Sequence, residues 1–246
     1  LNAEVAEQMF AMYLNKLNPQ TKIVVGGTRS AEHIGIKYVD YTVIGYADKS
    51  IVALADHLKN ATPLPNSYKI LGSKTTLVKD PLAKDFDFNS STMCWTADDI
   101  VMPGETLPIE LSRGCVFKCA FCNYRFNGKQ TVDYIKPIET IKNELIYNWE
   151  NYGITNYRIL DDTFNDTEKK IDDMLAVVRD LPFSPKFWAY IRLDLLAKHP
   201  HTLDKLYEMG LRAAHFGIET LDLRAGRTIG KGRSEEHTSE LQSRET

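Results

Sequence analysis

Pro108-Ile109-Glu110-Leu111-Ser112-Arg113-Gly114-Cys115-Val116-Phe117-Lys118-Cys119-Ala120-Phe121-Cys122 begins as a short strand and ends as a loop carrying three cysteines. The chain after it decides what kind of strand this is. Pro137, a good first-turn residue, opens a helix whose Ile138, Ile141, Leu145, Ile146 and Trp149 lie on one side before Gly153 stops it. Tyr157-Arg158-Ile159-Leu160 reads as the next strand. The helix after Asp166 carries Ile171, Met174, Leu175 and Val178 at helical spacing. A strand over 187–191, a helix over 202–209 closed by Gly210, and a strand over 213–218 complete the series. Four strands thus alternate with three helices, and right-handed crossovers turn that alternation into part of a parallel barrel. Four strands leave an edge unpaired, so the barrel is expected to be incomplete.

Upstream, the rhythm differs. Val5, Met9, Phe10, Tyr13, Leu14 and Leu17 form a helical stripe, and Ile23-Val24-Val25 is a buried strand that runs into Gly26-Gly27. A helix over 30–38, a strand over 41–45 and a helix over 50–58 follow. These elements make half of a doubly wound, flavodoxin-like α/β domain, its other half expected before Leu1. The fold class is therefore α/β, a truncated doubly wound half-domain followed by a partial parallel (βα) barrel. Residues 1–60 form the first part, 61–106 a linker containing a candidate hairpin (68–71 and 75–78), and 107–232 the second part. Residues 233–246 show neither periodicity. Eleven of them, from Arg233 to Ser243, resemble the translation of a widely used sequencing adapter, and the tail is set aside from the fold.

Composition excludes several classes. Of 246 residues, 43% are hydrophobic and 26% charged, a balance that can bury a core, and the net charge of -3 gives no footprint for nucleic acid or an anionic membrane. No apolar run approaches the ~20 residues of a membrane span, and the start has no basic and apolar leader, so a cytoplasmic protein is expected. Four cysteines, three of them within eight residues, are not a disulfide framework.

Soft thiolates select zinc or iron–sulfur. A structural zinc wants four closed ligands, and no fourth Cys or His falls nearby at zinc spacing, Cys94 lying far upstream beside Trp95. A cubane held by three cysteines leaves one iron with an open position. Two other readings stay open: Cys119 and Cys122 as a redox pair, which leaves Cys115 unexplained, and a zinc knuckle completed from elsewhere.

The Cys-x-x-x-Cys-x-x-Cys spacing with Phe121 before the last cysteine resembles the signature of radical S-adenosylmethionine (SAM) enzymes. The Leu111-Ser112-Arg113-Gly114 lead-in resembles the branch with an N-terminal cobalamin-binding domain. The resemblance implies a barrel of the radical SAM type, with Cys115, Cys119 and Cys122 holding a [4Fe–4S] cluster. Its open iron takes SAM, and one electron then cleaves the sulfonium to start radical chemistry. An external reductant of the flavodoxin or ferredoxin type would supply the electron; the substrate is not specified. By the same resemblance Asp161 and Asp162 would grip the amino group of SAM, Arg192 its carboxylate, and Glu219 its ribose. Against these stand a helix cap for the aspartates and a surface ion pair for Arg192. His215 is read as a core residue or a support rather than a ligand. Ile229-Gly230-Lys231-Gly232 resembles a later family segment, and Gly26 and Gly27 the pair that lets a cobalamin tail approach the backbone, against a plain strand-to-helix turn. No D-x-H-x-x-G motif supplies a lower axial histidine. With cobalamin, methyl transfer to an unactivated carbon is expected; without it, hydrogen abstraction leading to rearrangement, cyclisation or sulfur insertion. The rival from another class is a non-catalytic iron–sulfur or zinc-binding module.

Overall fold

The computed structural model describes residues 8–9, 11–14, 18–27, 33–34, 36, 38–44, 47–64, 69–70, 76–79, 91–122 and 134–231. Two compact units divide the chain, residues 1–87 and 88–246. The expected helix over 30–38 falls largely outside the described residues, as do Gly232 and the tail 233–246.

In the first unit, residues 8–9 and 11–14 are helical. Strands β1 (Val24–Val25) and β2 (Tyr41–Ile44) run parallel, with Val24 opposite Tyr41. Asp40 fixes the entry to β2, its carboxylate accepting from the Ile23 amide at 2.9 Å and from Lys22 at 3.3 Å. Helix α1 (Asp48–Asn60) buries Leu54 against Val43 of β2 and ends at Ala61, whose left-handed backbone (φ 57°) returns its amide to His57. Strands β3 (Lys69–Ile70) and β4 (Thr76–Lys79) form the expected hairpin, and β4 also pairs in parallel with β2. The sheet order is β1-β2-β4-β3. The stretch 61–106 is therefore not a bare linker. Its hairpin extends the first sheet, β4 pairing with the edge of β2 that faces away from β1, while residues 91–106 belong to the second unit.

The second unit is a parallel sheet in the order β5-β6-β7-β8: β5 (Thr106–Glu110), β6 (Asn156–Leu160), β7 (Lys186–Ile191) and β8 (Leu211–Phe216). Its connections carry α2 (Ile138–Tyr152), α3 (Glu168–Arg179), α4 (Leu193–Lys198) and α5 (Thr202–Glu208), and α6 (Leu223–Thr228) follows β8. Leu107, Ile109, Phe187, Ala189 and Ile191 are buried at alternate positions of β5 and β7, and they meet Ile141 and Leu145, one turn apart on α2. The alternation of the sequence becomes one core in this way. Two buried polar devices fasten it. Glu144 of α2 pairs with Lys136 at 2.9 Å and accepts from the Met93 amide at 2.7 Å, drawing the segment before β5 onto the helix. Tyr147 and Tyr152 both donate to the Trp95 carbonyl, at 2.9 and 2.8 Å. The predicted helix and strand series matches, but the short helices α4 and α6 were not anticipated. Among the described residues no helix is long and apolar enough to cross a membrane.

Candidate functional site

The C-terminal ends of the four parallel strands point to one side, and the loops leaving them enclose a cavity of about 280 Å³. Cys115, Cys119, Cys122, Phe121, Asp162, Arg192 and Glu219 all line it, with Phe117, Thr163, Tyr190, His215, Gly217 and Lys231.

The cysteine loop leaves β5 through Gly114, whose backbone (φ 134°) suits a residue with no Cβ. Two ties shape it. The Cys122 amide donates to the Cys119 carbonyl at 3.0 Å, and the Ala120 amide to the Ile229 carbonyl at 2.8 Å. The segment after α6 thus braces the loop, and the Gly230 carbonyl lies 3.7 Å from Cys119 Sγ. Cys115 is buried, Cys119 half-buried and Cys122 exposed. Burial pushes the Cys115 thiol up, against the Thr163 hydroxyl 3.4 Å away, which favours the thiolate. Cys94 is exposed and does not line the cavity.

The donor set says what the loop can hold. Three thiols from one loop line the same cavity, a soft set that suits iron–sulfur and leaves one corner of a cubane to another ligand.

Arg192 stands between sulfur and aromatic ring. Its guanidinium lies 3.8 Å from the centre of the Phe117 ring, and Nη1 is 3.9 Å from Cys119 Sγ. Nε and Nη2 are held by Asp194, at 3.0 and 2.6 Å. The bidentate fork expected for a substrate carboxylate is therefore engaged within the chain, leaving Nη1 directed at the site. Asn165 locks the backbone beneath it, accepting from the Arg192 amide at 2.8 Å and donating to its carbonyl at 3.0 Å.

The two expected aspartates separate. Asp162 opens into the cavity, where surrounding protein and the neighbouring Asp161 charge push its carboxyl up to about 6, Lys170 acting the other way. Asp161 does not reach the cavity. Its carboxylate is buried, pairs with Lys170 at 2.8 Å and accepts from the Thr163 amide at 2.9 Å. Lys170 also meets Asp166 at 2.6 Å, and Asp166 accepts from Tyr134 at 2.6 Å. Asp161 is thus a support for the loop rather than a ligand-facing group, because a buried lysine needs its charge. Thr167, not Asp166, caps α3, its hydroxyl accepting from the Lys170 amide at 3.3 Å.

Glu219 has a left-handed backbone (φ 59°), and its Oε1 accepts from Lys231 at 2.9 Å. Lys231 Nζ also lies 5.4 Å from the Phe121 ring centre, closing the cavity's rim. His215 packs edge-on to Tyr190, ring centres 5.0 Å apart, as a wall. Sequence reading missed Thr163, Tyr190 and Phe117. Their signal was present, since Thr163 and Phe117 sit inside the quoted loops and Tyr190 near the end of a strand. Gly26 and Gly27 belong to the first unit. Gly27 has φ +102° and a Cβ there would meet nothing within 4 Å; one at Gly26 would come only to 4.0 Å from the Val43 carbonyl. The backbone after β1 is open to close approach.

Comparison with known proteins adds three findings. The family model of the Radical SAM superfamily matches residues 109–241. Over 122 residues the chain is 30% identical to the "Uncharacterized methyltransferase PH0819" of Pyrococcus horikoshii, covering 49% of this chain and 26% of the relative. Solved structures of the cobalamin-dependent S-adenosylmethionine radical enzyme OxsB share the fold, one with aqua-cobalamin and S-adenosylmethionine bound. That structure is 17% identical, with a TM-score of 0.64, and the likeness covers 95% of this chain and 36% of OxsB. The chain thus spans about a third of OxsB and a quarter of the methyltransferase.

Proposed function

Since the chain belongs to the radical SAM superfamily, we propose that Cys115, Cys119 and Cys122 hold a [4Fe–4S] cluster that leaves one iron to SAM. The protein then starts radical chemistry on its substrate. The observation that carries this is the set of three sulfurs from one loop lining a cavity with Arg192, Asp162 and Glu219. The cluster, once loaded, supplies the electron that opens the sulfonium of SAM, drawn from an external flavodoxin- or ferredoxin-type donor.

The chain's own residues bind and orient. Asp162 accepts from the α-ammonium of SAM and is placed to take its proton, burial and the Asp161 charge having pushed its carboxyl up to about 6. Arg192, fixed by Asp194 and Asn165, sets a positive charge beside Cys119. Glu219, steadied by Lys231, accepts from ribose hydroxyls. Phe117, Tyr190 and Ile191 line the cavity with apolar surface that excludes water.

Methyl transfer is the outcome we assign to that chemistry. The methyltransferase relative and the cobalamin bound by OxsB support it. In the first unit, Gly26 and Gly27 are the residues that would admit a cobalamin tail, because both leave the space where a side chain would stand.

Anaerobic reconstitution with iron and sulfide tests the proposal. The expected result is a coloured protein with [4Fe–4S] stoichiometry whose visible spectrum changes when SAM is added. A colourless chain holding one tight zinc, or a cluster indifferent to SAM, overturns it. Aqua-cobalamin added to the same protein tests the methyl-transfer assignment, with Gly27→Val expected to abolish binding while leaving the cluster intact. Failure of the wild-type chain to bind cobalamin sinks that assignment alone.

A further inference from the structure

Outside the cysteine cavity, the start of α3 and the turn between α4 and α5 bring a carboxylate and two imidazoles to one point. Glu168, in the first turn of α3, presents one oxygen to each of two histidines: Oε1 lies 2.7 Å from His199 Nδ1 and Oε2 lies 2.6 Å from His201 Nε2. One donor atom from each of the three residues falls within 4.8 Å of the others. We infer that Glu168, His199 and His201 form a second metal site, for a divalent cation of the zinc class.

The donor set is the first argument. Two imidazoles and a carboxylate suit zinc and its neighbours in the first transition row, whereas calcium and magnesium prefer oxygen alone. Preorganisation is the second. His199 and His201 flank Pro200, which restricts the turn between them. The turn is pinned by the His199 amide to the Leu195 carbonyl at 2.9 Å, by the Thr202 amide to the His199 carbonyl at 3.0 Å, and by the Thr202 hydroxyl to that carbonyl at 2.7 Å. Glu168 sits just after the Thr167 cap, so its backbone is equally fixed. The third argument is charge: Lys205, a neighbouring cation, is itself engaged with Asp172 at 2.6 Å.

A plain hydrogen-bonded trio would explain the contacts in the metal-free chain. A cation needs only that each imidazole move its proton to the other ring nitrogen and turn a lone pair inward. Donors at Zn–N and Zn–O distances of ~2.0–2.2 Å lie about 3.3 Å apart in a tetrahedron, so the trio opens by roughly half an ångström per contact. With His199 and Glu168 half-buried and His201 exposed, the fourth position faces water. The cation would clip the start of α3 to the turn between α4 and α5.

Cobalt(II) alone, titrated anaerobically into the full chain, separates this site from the cysteines, because thiolate ligands add a sulfur-to-cobalt charge-transfer band that imidazole and carboxylate lack. One equivalent should bind without that band, and zinc alone should displace it. His199→Asn with His201→Asn should weaken this equivalent by at least ~100-fold, as loss of direct ligands must exceed the 10–100-fold cost of losing their supports. Glu168→Gln, which keeps the shape of the side chain, should weaken it as well. The thiolate-linked equivalent should be unchanged in both variants. The proposal is overturned if the wild type has no thiolate-free equivalent. It is equally overturned if the variants, folded by circular dichroism, bind that equivalent as tightly as the wild type.

Discussion

Consecutive residues on a loop leaving a strand face different surroundings, and Asp161 and Asp162 show what this does to two identical carboxyls. Asp162, in the cavity mouth, is pushed up to about 6 from 3.8, so the folded chain holds its proton more tightly than the unfolded chain does. The stability linked to it is complete below pH ~4 and is lost as pH rises through about 6. Solvent reaching the side chain reduces its size. Asp162→Asn should therefore flatten the fall in Tm between about pH 4.5 and 7, and a fall of unchanged steepness would assign it to another group. Asp161 belongs to Lys170. Lys170→Met should cost roughly 3–5 kcal/mol in denaturant unfolding, since Asp161 and Asp166 would face each other buried and uncompensated. Among the cysteines, Ala in place of Cys115, Cys119 or Cys122 should each abolish bound iron, while Cys94→Ala should leave the iron content unchanged. The paired aspartates were legible as a motif, but their division of labour was not. Lys170 lies nine residues on in the chain, and nothing in the local pattern says which carboxylate it will choose.

At the scale of elements, the β7–β8 pairing depends on a glycine. Gly210 has φ +101°, and a Cβ there would lie 2.2 Å from the Pro185 carbonyl oxygen, which belongs to the backbone entering β7. Gly210→Ala should cost about 1–3 kcal/mol or more from the backbone conformation alone, with further loss as Pro185 is displaced. Urea unfolding of the two chains measures this. The long helices and the strands were legible because their apolar spacing spans several turns or alternations. α4 and α6, six residues each, are too short for a period to declare itself. The strand β4 was readable as part of a hairpin, yet its parallel partner β2 lies more than thirty residues back, across a helix. The Glu168, His199 and His201 trio was hidden for the same reason: its carboxylate and imidazoles are about thirty residues apart in the chain, and only the packing of the start of α3 against the turn between α4 and α5 brings them together.

At the scale of the molecule, the second sheet has β8 at its rim, with a described neighbour on one side only. Phe216 ends this strand and Ile218 and Leu221 follow it in the chain; all three are exposed, Leu221 by 89%. Open ladder groups beside apolar side chains invite another strand. Leu221→Lys should lower self-association in light scattering at high protein concentration, and equal scattering would show that this rim is not where chains meet. The brace between the cysteine loop and the segment after α6 has a consequence in time. Cys119 lies 111 residues before the glycine whose carbonyl meets its sulfur. A ribosome working at ~5–20 residues per second needs roughly 5–20 s to make that interval. For those seconds Cys119 stands without the brace that the folded chain gives its loop.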